Sequence, residues 1–119
     1  MGVRIIICGG RDFGDAMMLS FVLSQVHGKR TIVEIIHGCE PGADLMGDWW
    51  ARQNGIKVTP DWETHGQAAG AARDQQMLAL DPDGVVAFPS GHETADLVNA
   101  AREREIPVLM AEKLWGKRP

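Results

Sequence analysis

The sequence has little cysteine. Cys8 and Cys39 are its only two and they form no CxxC motif, which excludes a disulfide framework; in a reducing compartment both would be partly buried thiols. Zinc also has little to hold it. Cys8, His37 and Cys39 could meet at neighbouring strand ends, but a fourth ligand and the usual spacing are missing, so no metal or other cofactor is expected. There is no basic run beyond Lys117 and Arg118, and twelve Lys+Arg against sixteen Asp+Glu leave a net charge of -4. That balance argues against nucleic acid as a partner held by bulk charge and leaves room only for a local basic pocket. No apolar run approaches the roughly 20 residues of a spanning helix, and the chain enters VRIIIC too directly for a signal peptide. A cytoplasmic protein with no membrane partner is the expectation. Neither GxGxxG nor GxxxxGK[ST] occurs, so a dinucleotide fingerprint and a P-loop NTPase are both unsupported.

What is present is an ordinary globular composition, 45% hydrophobic and 24% charged over 119 residues. Such a chain buries about two thirds of its unfolded surface, so residues 1–119 are read as one domain. Five apolar or β-branched runs recur: VRIIIC from Val3, TIVEIIH from Thr31, IKVTP from Ile56, GVVAFP from Gly84 and IPVLMA from Ile106. Runs without strict alternation are what strands buried on both faces look like. Helical stripes stand between them: Leu19, Val22, Leu23 and Val26; then Leu45, Met46, Trp49 and Trp50, stopped by Asn54 and Gly55; then Gln67 to Leu80; then Leu97, Val98 and Ala101. The alternation predicts an α/β fold, a Rossmann-like three-layer domain with a parallel sheet of about five strands and helices on both faces. Met17, Met18 and Phe21 fall off the first helix's main stripe; they are either peripheral packing or a subunit interface, and a homo-oligomer is expected on the second reading.

Ligands of open parallel sheets bind beyond the carboxyl ends of the strands. There the chain reads GGRDFGD after the first run, HGCEPGAD after the second and PSGHETAD after the fourth. All three are glycine-bearing loops that enter helices. Glycine lets a ligand approach the main chain, and a helix start offers unpaired N–H groups with about half a positive charge. Three such loops on one rim make an anion site.

Their charged residues admit two readings each. Arg11 and Asp12 either neutralise and orient a ligand or pair with each other and nearby helix ends. Asp44 is either an acid favoured by the helix dipole or an acceptor for ribose hydroxyls. Arg73, in AAGAARDQQM, is either solvated or a fork for phosphate. Glu93 and Asp96 straddle Thr94 and are either helix-start acids or catalytic groups. Trp62 could stack on a base or pack inward. His65 and His92 are read as exposed loop histidines.

These segments resemble the SLOG superfamily, the Rossmann-like nucleotide-ligand domains that include the Lonely Guy phosphoribohydrolases and DprA, and most closely a small branch whose members open with GGRDF. The resemblance rests on GGRDF at Gly9 to Phe13, HG...GAD at His37 to Asp44, AG..R at Ala69 to Arg73 and FP.G..T at Phe88 to Thr94, in order and spacing. It implies a nucleotide or nucleotide-derived ligand held by Gly9, Gly10, Arg11, Asp12, Gly38, Gly42, Ala43, Asp44, Arg73, Pro89, Gly91 and Thr94. The phosphate would sit on the loop before the fourth helix. Pro89, Gly91 and Thr94 match the PGGxGTxxE motif of the phosphoribohydrolases, and Arg73 with Met77 matches their RKxxM segment. Ser90 and Glu93 replace glycines, Asp74 replaces the lysine, and Leu97 stands where those enzymes have their catalytic glutamate. Leucine can neither stabilise an oxocarbenium-like sugar nor activate water. A nucleotide N-glycosidase would need Asp96 or Glu93, with Arg73, to act from a neighbouring position, and a shift by one residue turns a side chain about 100° away on the helix. Binding, as sensor or sequestering protein, is the reading preferred over hydrolysis and over a DprA-like nucleic-acid module.

Overall fold

The computed structural model describes residues 2–60, 70–89 and 92–118, with the side chains at 70–73, 92 and 93 outside that description. The apolar runs form β1 (Val3–Cys8), β2 (Ile32–His37), β3 (Lys57–Pro60), β4 (Gly84–Ala87) and β5 (Val108–Met110). Every pairing is parallel and the order across the sheet is β3-β2-β1-β4-β5. Between the strands lie α1 (Ala16–Lys29), α2 (Ala43–Gln53), α3 (Gly70–Leu78) and α4 (His92–Glu103). The expected fold class is the observed one.

Parallel neighbours need crossovers, and these crossovers divide the helices between two faces. On one face Met18, Leu19 and Val22 of α1 and Trp50 and Ala51 of α2 pack on Val3, Ile5, Ile7 and Ile35. On the other, Met77 and Leu78 of α3 and Leu97, Val98 and Ala101 of α4 pack on Ile6, Cys8, Ile36 and Ala87. Successive residues of β1 thus serve opposite layers, which is why its run is apolar apart from Arg4. Full burial of each such side chain contributes roughly 1.5–3 kcal/mol.

One polar network interrupts this sheet. Glu34, buried within the second run, accepts from Arg4 Nε of the adjacent strand at 2.8 Å and from the Thr59 hydroxyl of β3. Burial alone would raise the Glu34 pKa, but those hydrogen bonds and the Arg4 charge hold it below the usual carboxylate range. Arg4 also donates to the carbonyl of Leu80 at 2.6 Å. The turn after α3 is therefore tied to the central strand.

Four differences from the sequence reading have physical causes. The third helix occupies Gly70–Leu78 where Gln67–Leu80 was expected; residues 67–69 lie outside the described residues, and Ala79–Leu80 form a turn. A fifth helix, α5 (Ala111–Trp115), follows β5 directly and is too short to show a period. Trp50 faces the core while Leu45 and Trp49 face outward, so that apolar face is wider than the stripe the sheet covers. Of the three off-stripe residues on α1, Met18 is core and Phe21 packs edge-on against Trp115 at 5.5 Å; Met17 alone is exposed. Among the described residues no helix is long and apolar enough to cross a membrane.

Candidate functional site

β1 is the central strand, with β2 on one flank and, after the chain crosses back over the sheet, β4 on the other. That makes the gap between the β1 and β4 carboxyl ends the switch point of the sheet, where a crevice opens between diverging crossovers. Three corners meet around it.

The β1 and β4 corners are joined by backbone and by rings. Phe88 N–H donates to the Cys8 carbonyl at 2.8 Å, and Gly10 N–H donates to the Pro89 carbonyl at 3.1 Å. The Phe13 ring lies 5.2 Å from that of Phe88, tilted by 43°. Gly9 sits between them, where a Cβ would come within 2.6 Å of Ala43 Cβ and 3.0 Å of Phe88 Cβ. Phe13 and Phe88, which the sequence offered only as motif letters, thus staple the two loops together.

The β2 corner is seated on the β1 corner through Gly42. At φ 88 it occupies a region closed to most side chains, and a Cβ there would stand 2.4 Å from the Gly10 carbonyl oxygen. This corrects the expected role of Gly42: its missing side chain makes room for another loop, before any ligand is considered. Gly38 is likewise committed, because its N–H donates to Asp44 Oδ2 at 3.0 Å. Glu40 N–H reaches the same oxygen at 3.3 Å, and Asp44 is buried. Asp44 therefore braces the corner that precedes it, and that oxygen is not the open ribose acceptor that the sequence allowed.

Arg11 is exposed on the rim and its Nε lies 3.4 Å from Glu40 Oε2. The pair links the β1 loop to the β2 loop from outside. Below it, burial pushes the Cys8 thiol far above its ordinary range, with the Asp44 and Asp74 carboxylates adding to the effect. Cys8 is a packed apolar group and not a nucleophile. Asp12 stands exposed at the tip of the β1 turn, and Ala43 is fully buried as the first residue of α2.

A side-chain chain missed by the sequence reading supports the β2 corner. His37 is buried, its Nδ1 accepts Cys39 N–H at 3.0 Å, and its Nε2 lies 2.7 Å from Asp48 Oδ2. With Nδ1 accepting, the ring proton sits on Nε2 and is donated to Asp48. Asp48 in turn takes Arg52 Nε, one turn further along α2. Burial pulls the His37 pKa down, against the pull of Asp48 upward. For Asp48, burial would raise the pKa, but hydrogen bonds from Arg52 and His37 overcome it and hold the carboxyl low. Both ring nitrogens being occupied, His37 is a strut. It fixes Cys39, a non-glycine residue at φ 62, in the turn that carries Glu40. The Asp48–Arg52 spacing of four was a signal available in the sequence.

Beyond Pro89 the rim continues as a cleft of about 290 Å³ lined by Phe88, Pro89, Thr94, Val98, Asn99 and Arg102. Thr94 is buried in its wall. Leu97 is 2% exposed and belongs to the α3–α4 core, whereas Asp96 is exposed and is not part of that lining. Arg73 falls on α3, and Glu93 on α4, with side chains outside the description; Gly91, Trp62 and His65 are outside the described residues. His92, expected in a loop, is the first residue of α4. The structure thus assembles Gly9, Gly10, Arg11, Gly38, Gly42, Ala43, Asp44 and Pro89 at one place and sets Thr94 beside them. Asp12 and Asp96 are not drawn into the cluster.

The chemistry available there is recognition by main chain. α2 begins with Gly42 as its N-cap, which supplies no side-chain cap. Helix geometry leaves the first N–H groups without intrahelical acceptors, and these are donors an anion can take.

Comparison with known proteins shows the family of the chain. The model of the YspA, cpYpsA-related SLOG family matches residues 3–65, which span the β1 and β2 corners. The chain is also 34% identical over 117 residues to the Gene 61 protein of Mycobacterium phage D29, covering 89% of this chain and 94% of that protein. No solved structure matches the chain.

Proposed function

Since this chain belongs to the YspA, cpYpsA-related SLOG family, we propose that it binds a nucleotide or nucleotide-derived ligand at the rim where the β1, β2 and β4 corners meet. It acts as a sensor or sequestering protein. The observation that carries this reading is the direct joining of the three corners at the switch point: Gly10 to Pro89 by hydrogen bond, and Gly42 against Gly10 by close approach. In this reading the start of α2, which has no side-chain cap, meets the phosphate, with Arg11 released from Glu40 to neutralise it; Gly91 and Arg73 join the site on the family resemblance alone. Thr94 supplies a hydroxyl from the neighbouring cleft. Arg11 has the freedom for such a change of partner, being 69% exposed.

Among the described residues no contact favours hydrolysis. Leu97 is held in the core and carries no carboxylate, and the exposed Asp96 is not part of the cleft lining. A thermal-shift screen of nucleoside mono-, di- and triphosphates, cyclic nucleotides and ADP-ribose-type compounds tests the proposal. A ligand at about a hundred times its Kd adds about 2.7 kcal/mol to stability. Arg73→Ala should then weaken binding by roughly 1.5–3 kcal/mol, the worth of lost charge-assisted bonds. No stabilisation across the panel would refute the reading.

A further inference from the structure

A second surface of the molecule, which adjoins the rim at Phe13 and Gly42, is as unusual as the rim. Met17 is 76% exposed, Leu45 48% and Trp49 64%, and they crown the adjacent helices α1 and α2. Between them lies a groove of about 410 Å³ walled by Phe13, Ala16, Leu19, Leu45, Trp49 and Trp50. From Ala16 to Val26 α1 carries no charged residue at all. A helix on the outside of a soluble domain ordinarily shows a charged face, and one without it is expected to be covered.

We propose that a second copy of this chain covers the α1–α2 face in a two-fold arrangement, with Trp49 of each copy entering the groove of the other. Three observations select this occupant. The face holds both a projecting aromatic side chain and a concave apolar seat, so it is complementary to itself, as an isologous contact requires. Two-fold pairing brings a patch against its own copy, where unpaired charges would meet like charges; an α1 free of them from Ala16 to Val26 meets no such cost. The same lack of charge gives an acidic or basic partner nothing to recognise. Its composition, with exposed Trp and Met and few ions, is that of an interface core. Helices of 14 and 11 residues, about 21 and 16 Å long, frame the face. Because Phe13 and Gly42 line the groove, the dimer would set the two ligand rims on either side of the shared face.

Sedimentation velocity over a range from about 1 to 200 µM, in reductant so that neither cysteine can crosslink, tests this directly. The full chain should sediment as a dimer. Trp49→Glu and Met17→Glu, on different helices, should each raise the dimer Kd by about thirtyfold or more, the effect of losing a hot-spot contact. Both side chains being exposed, far-UV circular dichroism and Tm should stay near those of the parent, which separates dissociation from misfolding. A parent chain that is monomeric throughout overturns the proposal, whether or not it captures lipid or another protein. A dimer that survives both substitutions overturns it too, by placing the contact elsewhere.

Discussion

Helices α1 and α2 both start within a few residues of a strand end, and each has an aspartate at its start, yet the two starts are built in opposite ways. At α1 the exposed Asp15 turns forward and accepts Met18 N–H at 3.0 Å, so the helix caps itself. At α2 the N-cap is Gly42 with no side chain to offer, and the buried Asp44 turns backward to hold Gly38 and Glu40 N–H. The first arrangement uses its aspartate to finish a helix. The second uses it to fix a loop and leaves the helix start open. Gly14 and Gly42 repeat the contrast: a Cβ at Gly14 would meet nothing within 4 Å, one at Gly42 would meet another loop's backbone. A capped start is ordinary fold; a start without a side-chain cap, held by a buried acid, is what the proposed binding corner would use.

Substitutions can break this contrast in a graded way. Gly42→Ala should have the largest effect, destabilising by about 3 kcal/mol or more through a positive φ and a backbone clash, whereas Gly14→Ala should change stability by under about 0.5 kcal/mol; paired urea melts measure both. Next comes Asp44→Ala, at about 2–3 kcal/mol, since two buried N–H groups lose a charged acceptor. Asp15→Ala should cost only about 1 kcal/mol, the usual worth of an exposed cap. If the two aspartates prove equal in the same melts, the distinction between the corners fails. Arg11→Ala should be nearly silent in stability, within about 0.5 kcal/mol, because its pair with Glu40 is largely exposed, while weakening nucleotide binding in calorimetry.

The strut beneath the β2 corner gives a pH dependence of its own. His37 is neutral in the folded state because burial lowers its pKa, so below its ordinary 6.5 the unfolded chain takes up a proton that the folded chain refuses. Stability from this group is therefore present above about pH 6.5 and is lost as pH falls toward the lower folded value, by at most about 1.4 kcal/mol per unit. The slope from this group should disappear in His37→Gln. A variant that keeps the full slope would assign it to other groups.

The layered fold could be read from the chain because both faces of the central strands are buried, which makes β1, β2 and β4 mostly apolar runs, interrupted by Arg4, Glu34 and His37. Strand order could not, since nothing in the periodicity of Ile5 or Val86 says which neighbour lies beside it. At the site, residue types pointed to loops that the structure brings together, and each left two purposes open. Gly42 was legible as a special backbone position, but only coordinates show that its space is filled by the Gly10 carbonyl. Asp44 looked like a ligand contact because an acid at a helix start has two possible directions, forward or back, and sequence does not carry the direction. His37 was weighed only beside two cysteines, and its true partner, Asp48, lies a helix turn beyond the loop. The width of the α2 apolar face was visible in Leu45, Met46, Trp49 and Trp50; that Trp49 points outward was not.

The joined corners are best tested by a titration of the isotope-labelled chain, followed residue by residue in amide NMR spectra, with the nucleotide that stabilises it most. Perturbations should concentrate at Gly10 and Arg11, at Ala43 to Leu45 and around Thr94, and leave the amides at the far end of α1, Gln25 to Lys29, unmoved. Saturable shifts confined to another part of the molecule would contradict the account.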